Sequence, residues 1–457
     1  MIGASTYPES CCTLRDMSLA SNAEFGEEGI MLEKLEISRF KTVRDLKLEF
    51  GRVNLFIGGN GAGKSNLLEA IGLASACLGR GLGDSDIAGK GLRVTPSELM
   101  KSSFKNEDLP KTLELHASFA NAVDYKVTLS SKENDPLLRF FSESSTYGSQ
   151  KVFGRSNRGA RATGVTHADR LDRNRGIWDQ IKATYDIPDA VDREFSEFSR
   201  YVIYTPQTDF LRGKQKGAVD SPPIGLHGEG LPEAVSSFLD EWRRLERRNR
   251  RNKEAVDLEW RIIDACVKLV WLPGWANTFG VHHARTILTS RDIADRTSEI
   301  VYFRDRFMHA RRNRLSVYDS SEGTLFLLFA AIILAHPDAP RVFALDNVDN
   351  ALNPRLTRRL VEQIINVTLS SAGDETEIGA RQVFLTSHNP TSLDAFDIFD
   401  SRQRVFVVQR NERGHTVADQ LKPSPNMTRE EWETAKGGRN LSQVWLDGDI
   451  PGALGDL

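Results

Sequence analysis

The feature that most constrains this chain is Gly58-Gly59-Asn60-Gly61-Ala62-Gly63-Lys64-Ser65, which fits the pattern G-x-x-x-x-G-K-S. It follows a short, mostly apolar run, Val53 to Ile57, and precedes Leu67, Leu68, Ile71 and Leu73, apolar at helical spacing. The order is therefore strand, loop, helix. Glycines let successive backbone N–H groups turn inward around phosphates, and the start of a helix adds its own positive field. A chance glycine-rich turn is the competing reading, and the flanking strand and helix count against it. Asn60, Gly61, Gly63, Lys64, Ser65 and Asn66 are thus the expected nucleotide-binding set. Lys64 would neutralise the β and γ phosphates of ATP, and the Ser65 hydroxyl would be a ligand of Mg2+.

Such a loop needs an acid on a neighbouring strand to hold the metal through water. Asp346 ends the apolar run Val342-Phe343-Ala344-Leu345 and is the best placed candidate. A lone aspartate after a strand is most often a turn residue, so its assignment rests on the demand made by the loop.

With 457 residues, 40% hydrophobic and 27% charged, the chain can bury a large core and divide into two or three lobes. No apolar run is long enough to span a bilayer. The four cysteines, Cys11, Cys12, Cys77 and Cys266, match neither a disulfide framework nor a zinc spacing, which points to a reducing, cytoplasmic setting. A net charge of −3 means that any nucleic-acid contact must come from a local patch.

The pattern along the chain suggests five regions. Residues 1–30 show no period and read as a loose extension; residues 31–130 form a first ATPase lobe with alternating strands, including a hairpin over Leu113–Phe119 and Tyr125–Leu129. Residues 131–315 read as an insertion, irregular and loop-rich to about Arg200, with a short strand at Tyr201–Tyr204 and helix from Leu231 to about Val270. Residues 316–425 return to buried helix and strand, and residues 426–457 are a tail. Within the tail, Leu441-Ser442-Gln443-Val444-Trp445-Leu446 is an apolar cluster that either packs on the chain's own core or docks a partner.

The order of these motifs resembles that of the SMC, RecF and OLD group of ABC-type ATPases, over about residues 31–425 with the middle poorly matched. The resemblance implies an α/β fold: an ABC-type P-loop ATPase head of two lobes with a helical, loop-rich insertion. Ser320-Ser321-Glu322-Gly323-Thr324 resembles the group's signature motif, in which Ser321 and Gly323 would cap the γ phosphate held by a second copy of the chain. An ordinary helix N-cap is the competing reading of Ser321. His388, in Thr386-Ser387-His388-Asn389, lies where the group's switch histidine contacts the γ phosphate. Gln207 is a candidate for the glutamine that senses magnesium and water. Lys41, in Arg39-Phe40-Lys41, lies where the group often contacts nucleotide, and a solvated strand-end lysine is the alternative.

One departure matters. After Asp346 the group carries a glutamate that polarises the attacking water, and here the residue is Asn347. An amide holds water but cannot take its proton, and general-base help is typically worth ~10²–10⁴ in rate. Slow hydrolysis follows, with ATP acting more as a clamp than as fuel. Asp349 could compensate, although two residues further on it should face another way.

The Asp-Asn pair, the short insertion and the tail resemble antiphage-defence ATPases such as that of the Septu system, and those of retron cassettes share the layout. That resemblance implies antiviral defence and a separately encoded effector such as an HNH nuclease. The alternative is a RecF-like DNA-repair ATPase that grips DNA through the basic run Arg243–Lys253, RRLERRNRRNK. A solvated helix face competes with that reading. A second basic set comprises Arg155, Arg158, Arg161, Arg170, Arg173 and Arg175. An ABC transporter subunit fits least.

Overall fold

The computed structural model describes residues 31–131, 137–156, 159–162, 171–215, 217, 219, 221–251, 257–287, 299–371, 376 and 378–450. The expected extension at 1–30, Arg158, Arg170, Lys253, the last residues of the tail and the side chain of Arg161 lie outside what is described.

Two kinds of apolar pattern build two kinds of sheet. The alternating stretches β1 (Leu32–Phe40) and β2 (Val43–Glu49) pair as an antiparallel hairpin. The next strand, β3 (Val53–Ile57), is buried at every position and belongs to a different sheet, buried on both faces. It feeds α1 (Lys64–Cys77). The chain then returns to the first sheet with β4 (Thr112–Phe119) and β5 (Val123–Ser130), an antiparallel pair laid against β1. This is the expected hairpin.

The stretch expected to be irregular instead supplies β6 (Arg139–Tyr147), β7 (Gln150–Ser156) and β8 (Gly159–Ala162), which extend the first sheet to seven strands in the order β2-β1-β4-β5-β6-β7-β8. These strands escaped the apolar pattern because their buried positions include Glu143, Ser145 and Arg155. Burying a charge requires a partner. Arg155 donates from Nε (2.9 Å) and Nη2 (2.6 Å) to Glu143, whose carboxylate also accepts from Tyr125 Oη at 2.8 Å and Ile177 N at 3.1 Å. Arg155 further holds the carbonyls of Asp172 and Arg175, so this one polar knot pins the following loop to the sheet.

After β9 (Ile203–Tyr204) come two helices, α2 (Leu231–Arg251) and α3 (Leu258–Val270), as expected, then an antiparallel sheet of β10 (Ala276–His283), β11 (Glu299–Asp305) and β12 (Arg314–Ser316). Helix α4 (Glu322–Ala335) is buried from Thr324 onward and apolar all round, the mark of a core helix. Then follow β13 (Val342–Leu345), α5 (Pro354–Ser370), β14 (Gln382–Ser387), β15 (Gln403–Arg410) and β16 (Thr416–Gln420). The second sheet runs β16-β15-β3-β14-β13-β9, parallel except for the β15–β16 pair.

The fold is thus α/β, with the parallel sheet joined to the antiparallel one. Gln382, fully buried, makes that joint. It accepts from Leu32 N at 3.0 Å and donates to Leu32 O and Gly51 O, both at 2.8 Å. In the tail, α6 (Leu441–Leu446) buries Leu441, Val444 and Trp445, and Ser442 is tied to Asp394 through N and Oγ at 2.9 and 2.8 Å. Its apolar cluster therefore packs on the chain's own core.

The Arg155–Glu143 knot gives a stability test. Arg155→Ala would leave Glu143 buried without its cation, at a cost of about 3–5 kcal/mol whether the carboxyl stays ionised or takes up a proton, read as a lowered midpoint of thermal or urea unfolding. Arg155→Lys should recover only part of that loss, because a single ammonium cannot reproduce the planar fork.

Candidate functional site

Parallel register brings the chemistry to one end of the second sheet. Ile57 of β3 lies opposite Ser387 of β14, and Leu345 of β13 lies opposite Leu385, so the loops after β3, β13 and β14 leave the sheet side by side. Ligand sites of open parallel sheets form at these carboxyl ends.

The phosphate loop has the backbone its sequence demands. Gly61 and Gly63 have φ of 76° and 108°, in the left-handed region that glycine tolerates. A Cβ on Gly63 would lie 2.2 Å from Thr416 Oγ1, whereas one on Gly59 or Gly61 would meet nothing. The loop is thus tight against β16 on one side and open on the other. Thr416 Oγ1 donates to Ala62 O at 2.9 Å, and Arg410 Nε donates to Gly61 O at 2.9 Å, fixing the loop from behind.

Four of the expected residues meet. Lys64 Nζ donates to Gly58 O (2.8 Å) and Gly59 O (2.9 Å) and lies 3.1 Å from His388 Nδ1. Ser65 Oγ donates to Asp346 Oδ2 at 3.0 Å. Burial pushes the Lys64 ammonium down to about 8, against the opposing pull of Asp346 and Asp349. Burial, then the adjacent Lys64 charge, lowers the His388 imidazole from its usual value, so its Nδ1 accepts from the ammonium. The cradle fits a triphosphate: the lysine is held on two carbonyls that a phosphate would replace, and the face of the loop beside Gly59 and Gly61 is open.

Asn347 follows Asp346 with φ 57°, in the left-handed region. This turn corrects the expected orientation of Asp349. Its Oδ2 accepts from His388 N at 3.3 Å, and its Oδ1 is buried with no hydrogen-bond partner. Asp349 therefore faces the site. The sequence also gave no reason to single out Thr386, yet its Oγ1 donates to Asp346 Oδ1 and accepts from Asn347 N at 2.8 Å. The signal was available in its position, one strand away from the acid.

Other expected residues lie apart from this network. Lys41 is neither solvated nor free: its Nζ lies 2.5 Å from Glu69 Oε2, with the two side chains 9% and 3% exposed, and Arg93 holds the other oxygen of Glu69 at 2.7 Å. Burial lowers the Lys41 ammonium, with Glu69 opposing the shift. Asn66 donates to Thr42 Oγ1 at 2.6 Å and accepts from Arg93. Gln207 places its amide 3.4 Å from His227 Nδ1 while its backbone N–H bonds His227 O, so the chain turns toward residue 227 after β9. Asn60 is exposed on the open loop.

Ser321 caps α4, accepting from Thr324 N at 3.3 Å, with its Oγ 2.7 Å from Thr324 Oγ1. A Cβ on Gly323 would come within 2.9 Å of Ala351 O, so the turn after Asp349 packs on the start of this helix. The N-cap reading of Ser321 is therefore what the single chain shows.

The basic helix is mostly neutralised. Of the six arginines in residues 243–251, Arg243, Arg244, Arg248 and Arg250 pair with Asp240, Glu241, Asp257 with Glu259, and Glu246 respectively. That favours the solvated face. In the second basic set, Arg155 is consumed by Glu143 and Arg175 pairs with Asp179.

A phosphate-binding loop with a strand-end acid on a parallel sheet defines a P-loop ATPase. The family described as "AAA domain, putative AbiEii toxin, Type IV TA system" matches residues 53–394, and the chain belongs to it. No curated protein matches the chain in sequence. Among solved structures it is similar to an SMC head bound to the C-terminal winged-helix domain of ScpA, at 14% identity over 87% of this chain and 100% of that one, with a TM-score of 0.47. It is also similar to the SMC head domain of Thermotoga maritima, at 13% identity over 86% and 100% with a TM-score of 0.37. An SMC head with coiled coil and joint from Pyrococcus yayanosii shares 13% identity over 89% and 99%, with a TM-score of 0.41. Among the described residues, no helix is long and apolar enough to cross a membrane.

The depressed Lys64 sets a pH dependence. Below about 8 the ammonium is charged and can meet phosphate; above it the charge is lost. ATP affinity, measured by titration calorimetry, should be flat from pH 6 to 7 and fall above 8 by up to roughly tenfold per unit, the limit for one required proton.

Proposed function

We propose that this chain binds Mg2+ and ATP between two copies of itself, hydrolyses ATP slowly, and uses the ATP-bound pair to regulate or scaffold a separately encoded effector, such as an HNH nuclease, in bacterial antiphage defence. The observation that carries the ATP part is the convergence of Lys64, Ser65, Asp346 and His388, with Asn347 where a base would stand. Asn60, Gly61, Gly63, Lys64 and Ser65 hold the phosphates, while Ser65 and Asp346 hold the metal. Mg2+ supplies charge neutralisation at the phosphates when bound. His388 meets the γ phosphate as a neutral imidazole that donates from Nε2, its Nδ1 accepting from Lys64. Thr386 fixes the carboxylate of Asp346 and the backbone of Asn347 together.

Ser321 and Gly323 complete the site of the opposite copy, head to tail. A serine hydroxyl with free N–H groups at a helix start is an anion site, and here it needs a second chain to supply the anion. Asn347 orients water without accepting its proton, and Asp349, whose buried Oδ1 has no hydrogen-bond partner, is the carboxylate that takes it. The description of the family, which names a type IV toxin–antitoxin system, fits a chain that works with a separately encoded partner. The RecF-like alternative, with DNA gripped by residues 243–253, loses ground because four of the six described arginines are already paired.

Lys64→Ala should abolish ATP binding in calorimetry. Asn347→Glu should raise kcat by up to ~10²-fold, the lower end of general-base help; unchanged turnover would remove the missing base as the cause of slow hydrolysis. Asp349→Asn should lower the residual turnover of the wild-type chain at least tenfold, with ATP affinity retained. Native mass spectrometry with ATP and Mg2+ should show a pair that Ser321→Arg prevents, and co-expression with the products of flanking genes should yield a stable complex containing the effector.

A further inference from the structure

The turn between β11 and β12 carries a charge pattern unlike the paired basic helix. Residues 305–314 read DRFMHARRNR, with four arginines against one acid. The acid is engaged locally: Asp305 Oδ1 accepts from Phe307 N at 2.7 Å and shapes the turn. Arg306, Arg311 and Arg312 are exposed, and among the described residues none of the three is in an ion pair. Phe307, at the tip, is 73% exposed. The Arg306 guanidinium lies 4.6 Å from its ring centroid, and Arg314 lies over Tyr302.

A large aromatic ring held out in water among arginines that make no ion pair suits one class of ligand. Single-stranded nucleic acid offers phosphates for the guanidiniums and unstacked bases for the ring. A duplex hides its base faces, and an acidic peptide has none to stack.

The turn is also wired to the signature motif. Arg306 N donates to Trp275 O at 2.9 Å. The indole Nε1 of Trp275 donates to Thr324 Oγ1 at 3.1 Å, and that oxygen lies 2.7 Å from Ser321 Oγ. β12 then runs within a few residues into Ser320 and Ser321. We infer that the 305–314 turn is a binding element for single-stranded nucleic acid, and that its occupancy is relayed through Trp275 and Thr324 to the rotamer of Ser321. The relay rests on the proposed role of Ser321 at the partner's ATP; the binding element does not.

The test separates the two. Anisotropy of a fluorescein-labelled oligo-dT of about 20 nucleotides, with the full chain and no ATP, should show binding that weakens with salt. Arg311→Glu with Arg312→Glu should weaken it at least tenfold. Phe307→Ala should weaken it about 5- to 100-fold, the range for one stacked base, while leaving weak duplex binding unchanged. Equal affinity in wild type and both variants, or equal loss of an oligo-glutamate probe and oligo-dT in Phe307→Ala, would overturn the binding element. Trp275→Phe keeps a ring and the backbone but removes the indole N–H. It should retain oligo-dT affinity and lose the effect of oligo-dT on ATP-dependent pairing. An intact effect in that variant would overturn the relay. A wild-type chain that binds oligo-dT through the turn yet never pairs on ATP would refute the proposed function and leave the binding element standing.

Discussion

The site depends on one buried ammonium. Lys64 is held where solvent is scarce, on the carbonyls of Gly58 and Gly59 and beside His388, with Asp346 and Asp349 supplying the opposing field. Removing a cation from water is costly, and the surroundings must repay that cost. The parallel register of β3, β14 and β13 does so by aligning three strand ends so that carbonyls, imidazole and carboxylates all converge on one point. Among the described residues, no side-chain hydrogen bond runs from the strands of the seven-stranded sheet to Lys64, Ser65, Asp346 or His388. Its part is to brace the parallel sheet, because the N–H and carbonyl of Leu32 in β1 both bond the Gln382 amide of β14.

Much of that frame was legible in the sequence because its signals are local and redundant. A buried run leading into a glycine loop and then a helical pattern leaves few alternatives, and Val342–Leu345 before Asp346 repeats the strand-then-site grammar. The strands over 139–162 were not legible, because burial there is shared between aromatic residues and the Glu143–Arg155 pair, and a sequence pattern cannot distinguish a paired buried charge from a solvated one. The same blindness worked in reverse over 243–251, where a basic run looked free until its acids were placed in space. Two of those acids, Asp257 and Glu259, come from the cap and first turn of the next helix.

Within the site, residues with a motif were found and residues that support a motif were not. Thr386 is a plain strand threonine in sequence, yet it joins the acid to the backbone that follows it. Asp349 was placed facing away because a simple count of residues assumes ordinary backbone, and the left-handed Asn347 breaks that count. Lys41 illustrates what a pattern of neighbours cannot show: a cation near a nucleotide loop is easily read as a ligand or as solvated, and the structure pairs it with Glu69, which Arg93 also holds.

Asn347 has a consequence for how such a site can evolve. At φ 57° the left-handed conformation is open to asparagine and aspartate with little strain, whereas longer side chains adopt it at a cost of about 1–2 kcal/mol. The amide is therefore suited to the turn as well as to the role proposed for it. A single change to aspartate would restore an acid and keep the backbone, but its carboxylate would stop one methylene short of a glutamate's reach. A change to glutamate would restore the reach and strain the turn that aims Asp349. On the proposed reading, backbone and chemistry therefore ask for different residues at this one position, and asparagine meets the demand of the backbone.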